Sequence, residues 1–134
     1  MMKDGSINRD NVAETIVRLG PSGEQLLIEM LNSQPVTNFK LRKGIVHALS
    51  QANSDHNNID FVIETLFKTA GDSMAQVRKE CLESLQILHH RAKQAGQVTF
   101  LKPNTLLPFY FKFLKDKDRS VRMTALQNIV EFGA

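Results

Sequence analysis

The sequence predicts an all-α fold, an α-α superhelix in which antiparallel helical hairpins, about seven helices in all, stack into a right-handed solenoid. Three observations carry this expectation. The chain is self-similar without gaps at a shift of 36 residues and again at 44. Within each copy the apolar residues recur at helical spacing, as in Val77, Cys81, Leu85, Leu88 and Ala92. No comparable stretch alternates at period two, so a sheet has little support.

The first shift lays Leu27 on Ile63, Met30 on Leu66, Leu31 on Phe67, Leu41-Arg42-Lys43 on Val77-Arg78-Lys79 and Leu49 on Leu85. The second lays Phe67 on Phe111, Asp72 on Asp116, Val77-Arg78 on Val121-Arg122, Cys81 on Ala125 and Leu85 on Ile129. A leading half-copy, "NRDNVAETIVRLG", puts Arg9 on Arg122 and Gly20 on Gly133. The periodicity then gives helices over 6–20, 23–33, 38–52, 59–70, 74–94, 105–115 and 119–132. Their ends carry the expected punctuation. Ser22 with Gln25 and Ser73 with Gln76 have capping-box spacing, Thr37, Thr105 and Asp118 are further N-cap candidates, and Gly20, Gly96 and Gly133 suit C-terminal ends. With Thr105 as cap, Pro108 falls in a first turn, where its missing N–H is harmless. About eight extra residues lengthen the second period, and Gln94 to Asn104 is expected to be an extended loop between units.

Each unit ends its first helix near an Asp and opens the second with V-R, followed by a small residue and then Leu. In this "LKDKDRSVRMTALQNIVEFG" resembles the HEAT repeat, a helical hairpin of the armadillo-like superfamily. "TAGDSMAQVRKECLESLQIL" is close, and "LNSQPVTNFKLRKGIVHALS" is weaker, with Val36 where the others have Asp72 and Asp116. The chain divides into a half repeat at 6–20 and full repeats at 22–52, 59–94 and 105–133 within one domain, 1–134. Neither end looks like a polar cap, so the expectation is a piece of a longer array, with further repeats of the parent chain as neighbours, ahead of a module that self-associates through its ends. The resemblance implies a concave surface lined by second helices and a role as a protein-interaction scaffold or adaptor.

Composition narrows the alternatives. Seventeen basic and 14 acidic residues leave a net charge of +3, too small to demand an anionic partner. The lone Cys81 sits in an apolar stripe, as a buried structural thiol would, and a reducing, intracellular, cytoplasmic setting is expected. No apolar run approaches the ~20 residues of a membrane helix. The histidines, His47, His56, His89 and His90, lack metal-ligand spacing, and the His-Glu motifs of metal-dependent hydroxylases built on similar repeats are missing. Glycine-rich phosphate loops, nucleophile elbows and paired acid motifs are missing too. The sequence therefore predicts no catalytic, cofactor-binding or metal-binding residues, no cofactor, and no enzyme.

Arg9, Arg42, Arg78 and Arg122 share one register. The favoured reading is structural, each pairing with an Asp72- or Asp116-type carboxylate at the turn inside its own repeat. Candidate partner-binding residues are then the exposed positions that change from unit to unit: Lys43, His47, Lys79, Glu83 and Gln127, in rows with Asp10, Glu14 and Met123, together with the 94–104 loop. Among four aromatics clustered around Lys112, Phe109 and Phe113 are a further candidate pair for a protein partner, with Phe100 and Leu101 as cover. The alternative function is polyanion or nucleic-acid binding through Arg42, Lys43, Arg78, Lys79, Arg91, Lys93 and Lys102. Interleaved carboxylates weigh against it.

Overall fold

The computed structural model describes residues 9–33, 37–52, 59–96 and 103–133, and their side chains apart from those of residues 9–11, 103 and 133. Seven helices follow one another among the described residues: α1 (Arg9–Val17), α2 (Pro21–Ser33), α3 (Phe39–Leu49), α4 (Ile59–Thr69), α5 (Ala75–Gln94), α6 (Pro103–Phe113) and α7 (Arg119–Gly133). No described residue lies in a strand. The all-α solenoid expected from the repeat is the observed fold.

The second helices form a stack in which α1 packs on α3, α3 on α5 and α5 on α7. Each first helix, α2, α4 or α6, packs on the second helix of its own hairpin, and α2 only grazes α4. Tight second helices and splayed first helices curve the stack, with the second helices on the inner side. A single hairpin leaves its apolar stripe open, and burial against the neighbour is what stabilises the unit. Leu27, Ile45, Leu49, Ile63, Leu66, Val77, Cys81, Leu82, Leu85, Leu106, Tyr110, Val121 and Ala125 accordingly join one continuous core. Each large aliphatic side chain buried there contributes about 1.5–3 kcal/mol. Burial pushes the Cys81 thiol well above its ordinary pKa, which keeps it protonated and inert.

The helix ends correct several sequence expectations. Gly20, with φ +89°, ends α1 and also accepts the Glu24 N–H, so it starts α2 with Pro21 in the first turn. Ser22 lies inside α2 and cannot be its N-cap. At α5 the cap position is Met74, in extended conformation, so Ser73 falls one residue outside the cap, and the turn is held by Asp72, whose Oδ1 accepts the Met74 N–H at 2.8 Å. Asn38, one residue beyond Thr37, occupies the α3 cap. Pro103 rather than Thr105 opens α6, because a residue without an N–H is tolerated in a first turn. Pro108 consequently sits deeper in the helix, and α6 lacks the bond its N–H would have given Asn104. Asp118 does cap α7, accepting the Ser120 N–H at 2.9 Å and the Val121 N–H at 3.2 Å. Gly96, at φ +68°, closes α5 as expected. Gly133 is the last residue of α7. Of the expected loop, 97–102 lies outside the described residues, and Pro103 and Asn104 belong to α6.

Candidate partner-binding surface

The repeated arginines define what is not available for binding. Arg42 donates from Nε to Asp72 Oδ2 at 2.7 Å and from Nη2 to Asp72 Oδ1 at 2.9 Å. Arg78 forms the same fork on Asp116, with both bonds at 2.8 Å. Each pair joins one hairpin to the next, not the two helices of one repeat as the sequence suggested. The Asp precedes its own repeat's Arg by six residues along the chain, yet stacking brings it against the Arg of the preceding unit. Within its own turn Arg78 reaches only backbone, donating from Nη1 to the carbonyls of Asp72 and Ser73. Arg122 makes the corresponding bond to the Asp116 carbonyl at 2.7 Å. Arg9 lies outside the described side chains.

These pairs are nearly dry, with side-chain exposures of 7% and 11% for Arg42 and Asp72, and 9% and 8% for Arg78 and Asp116. The hydrogen bonds of Arg78 hold the Asp116 carboxyl below its ordinary pKa, outweighing burial. For Asp72, burial pushes upward, but the bonds from Arg42 and the Met74 N–H and the charges of Arg42 and Arg78 together leave the carboxyl low. Two of the cations required by a polyanion footprint are thus engaged. A third, Arg91, donates to the Ser50 carbonyl at 2.7 Å, closing the end of α3.

A second set of between-unit bonds runs along the inner helices. Ser84 Oγ donates to the Val46 carbonyl at 3.1 Å, and Asn128 Nδ2 donates to the Leu82 carbonyl at 3.0 Å. Donors and acceptors both repeat in register, since Ser84 is 44 residues before Asn128 and Val46 is 36 before Leu82. Tyr110 Oη donates to Gln86 Oε1 at 2.9 Å, and Gln86 Nε2 donates to Glu131 at 3.1 Å, tying α5 to both helices of the last hairpin.

The variable positions lie on the inner stack. Lys43 and His47 are four apart on α3, Lys79 and Glu83 on α5, Met123 and Gln127 on α7, so each pair shares a helix face. His47 bridges three helices, its Nδ1 3.0 Å from Glu80 of α5 and its Nε2 3.3 Å from Glu14 of α1. Burial and the charge of Glu80 raise the Glu83 pKa against the opposing pull of Lys79, Lys43 and His47. Lys79, Glu83, Met123 and Gln127 line one open groove of about 490 Å³ between α5 and α7, with Asp118, Arg119, Ser120 and Thr124. Asp10 lies outside the described side chains. Glu80, Arg119 and Ser120 were not singled out in the sequence. Their approach to the row depends on the offset between stacked helices, which a linear register does not carry.

The aromatic pair is placed differently. Phe109 packs edge-on against Phe67 of the preceding hairpin, with ring centroids 4.6 Å apart, and against Phe113 at 5.1 Å; both Phe109 and Phe113 abut the core. Phe111, between them, is the exposed ring. Phe100 and Leu101 lie outside the described residues.

Among the described residues no group of three or more His, Cys, Asp or Glu side chains could hold a metal ion. No helix of the described residues is long and apolar enough to cross a membrane. The family model of the HEAT repeat matches residues 106–134, which cover α7 and all but the first three residues of α6. No curated protein and no solved structure matches the chain. Residues 106–134 are thus similar to a HEAT repeat, in a helical solenoid of like hairpins, and repeats of this family generally mediate protein–protein interactions.

Proposed function

We propose that the chain is a non-catalytic, intracellular scaffold or adaptor module that holds a partner protein on the inner face of its solenoid. Lys43, His47, Lys79, Glu83 and Gln127 supply the specificity. The observation that supports the reading is the groove between α5 and α7, where Lys79, Glu83, Met123 and Gln127 meet while Arg42 and Arg78 are buried in ion pairs. A groove with two cations, two carboxylates, two hydroxyls, an amide and a thioether suits a polypeptide, which offers backbone, charged and apolar groups together. A polyanion would meet Glu14, Glu80 and Glu83 interleaved with the lysines, and would be repelled there. Rigid helices suit such a surface, because preorganised side chains lose little freedom on binding.

Affinity capture with the intact chain tests this. Charge reversal at Lys43 and Lys79 together, or Gln127→Arg, should weaken recovery of the captured protein at least about tenfold, as loss of a central contact does. Lys117→Glu, at an exposed residue that does not line the groove, should not. Thermal unfolding of all variants should match the parent chain. Equal recovery by every variant contradicts the assignment of this surface. DNA or RNA binding that falls steeply with salt and is lost in the same variants assigns the surface to a polyanion instead.

A further inference from the structure

Both ring nitrogens of His47 face a carboxylate. Nδ1 lies 3.0 Å from Glu80 Oε2 on α5 and Nε2 lies 3.3 Å from Glu14 Oε2 on α1, so one imidazole on α3 stands between carboxylates on the helices to either side. A neutral imidazole carries one N–H and one lone pair. In either tautomer it satisfies one carboxylate and turns its lone pair on the other. Only the doubly protonated ring attracts both. The two contacts are unequal, since the one to Glu80 is shorter and its carboxylate drier, with a side chain 13% exposed against 25% for Glu14. Other charges surround the ring. Lys43 of α3 and Lys79 of α5 act on Glu83 together with His47, and Arg18 stands one turn beyond Glu14. The lysines and Arg18 oppose a charge on the ring, and Glu83 favours it. On α2, Glu24 is buried and Glu29 exposed.

We infer that His47 is a proton-operated tie across the inner face: protonated, it holds α1 and α5 to α3, and neutral, it keeps Glu80 and releases Glu14. The loss falls on the Glu14 side because the shorter, drier contact retains the remaining N–H. The element that answers is therefore α1, a helix of nine residues, and a helix so short persists only through its tertiary contacts. Imidazole is the side chain whose charge changes between about pH 5 and 8, so α1 loosens as pH rises through that range. His47 lies in the row of Lys43, Lys79 and Glu83, and the tie also changes the charge and spacing of the face assigned to a partner. That last consequence rests on the function proposed above; the tie itself does not.

Hydrogen exchange on the intact chain tests the tie with no partner present, so its failure and a failure of affinity capture are separate results. Protection factors, which remove the intrinsic pH dependence of exchange, should fall about three- to fivefold for the amides of Ala13 to Val17 between about pH 5.5 and about pH 8, the scale of one partly exposed ion pair. Glu14→Gln should abolish the difference, because an amide gives a proton to a lone pair and accepts one from an N–H. His47→Gln should abolish it as well. His90→Gln, at a ring that meets Glu131 of α7 instead, should preserve it, and so should Glu83→Gln, which removes the neighbouring carboxyl whose pKa is raised. Unchanged protection of Leu82 and Leu85 in α5 shows that each variant is folded. Equal α1 protection at the two pH values in the parent chain overturns the inference. A difference that survives Glu14→Gln or His47→Gln, or one that His90→Gln or Glu83→Gln removes, overturns it likewise.

Discussion

Asp116 accepts three N–H donors on two oxygens: a parallel pair from Arg78 and the Asp118 amide of its own turn at 2.9 Å. Asp72 does the same with Arg42 and Met74. One carboxylate thus shapes a turn and joins two hairpins. Asp116→Asn keeps the shape but leaves a nearly dry guanidinium without its counter-charge, and removal of one partner from a buried pair costs about 3–5 kcal/mol. Chemical denaturation should show that loss. The pH dependence follows from the sign of the shift. Both carboxyls are held below their ordinary value of 3.8 in the folded chain, so their contribution is present above that value and lost as pH falls through the lower folded one. Glu83 acts in the opposite sense: its raised folded pKa gives a contribution complete below 4.5 and lost as pH rises through the folded value. Denaturation midpoints should therefore drop steeply below about pH 4, and Asp72→Asn with Asp116→Asn should flatten that drop. An unchanged acid slope would contradict the rungs. The sequence displayed the Arg and the Asp of each rung but not their pairing, because chain proximity points to the wrong neighbour.

At the scale of elements, periodicity located every helix, since core-facing stripes such as Val77, Cys81 and Leu85 are a strong local signal. Ends were less legible, because several residues near each boundary could serve and geometry selects one. Gly23 shows what a stripe cannot reveal. It lies in the first turn of α2, and a Cβ there would run into the Ile16 carbonyl of α1. Gly23→Ala should destabilise the chain by about 1–3 kcal/mol despite the better helix propensity of alanine, read from the thermal midpoint. A stabilised variant would show that α1 and α2 do not approach so closely. Pro108 predicts the opposite sign. Pro108→Ala restores a backbone donor to α6 and should stabilise it, by less than the ~3 kcal/mol of a mid-helix proline, because Asn104 lies close enough to the helix start to yield. A loss of stability would show that the ring of Pro108 contributes packing that outweighs the missing bond.

For the whole molecule, the repeat divides the residues into two kinds. Positions that recur with the same chemistry, Arg42 and Arg78, Asp72 and Asp116, Ser84 and Asn128, connect hairpins. Positions that recur in place but change in chemistry, Lys43, Lys79 and Met123 or His47, Glu83 and Gln127, line the inner face. This division was legible in the sequence, because register shows at once which positions vary. The groove between α5 and α7 was not, since Asp118, the cap of α7, and Arg119 and Ser120, in its first turn, enter it from the end of the helix. The central claim is that the repeated arginine is a strut between hairpins. The most direct measurement is a double-mutant cycle on equilibrium unfolding with Arg78→Gln, Asp116→Asn and both together. A strut predicts that the double variant loses about as much stability as the worse single one, a coupling of at least ~1.5 kcal/mol. Losses that simply add would contradict the claim.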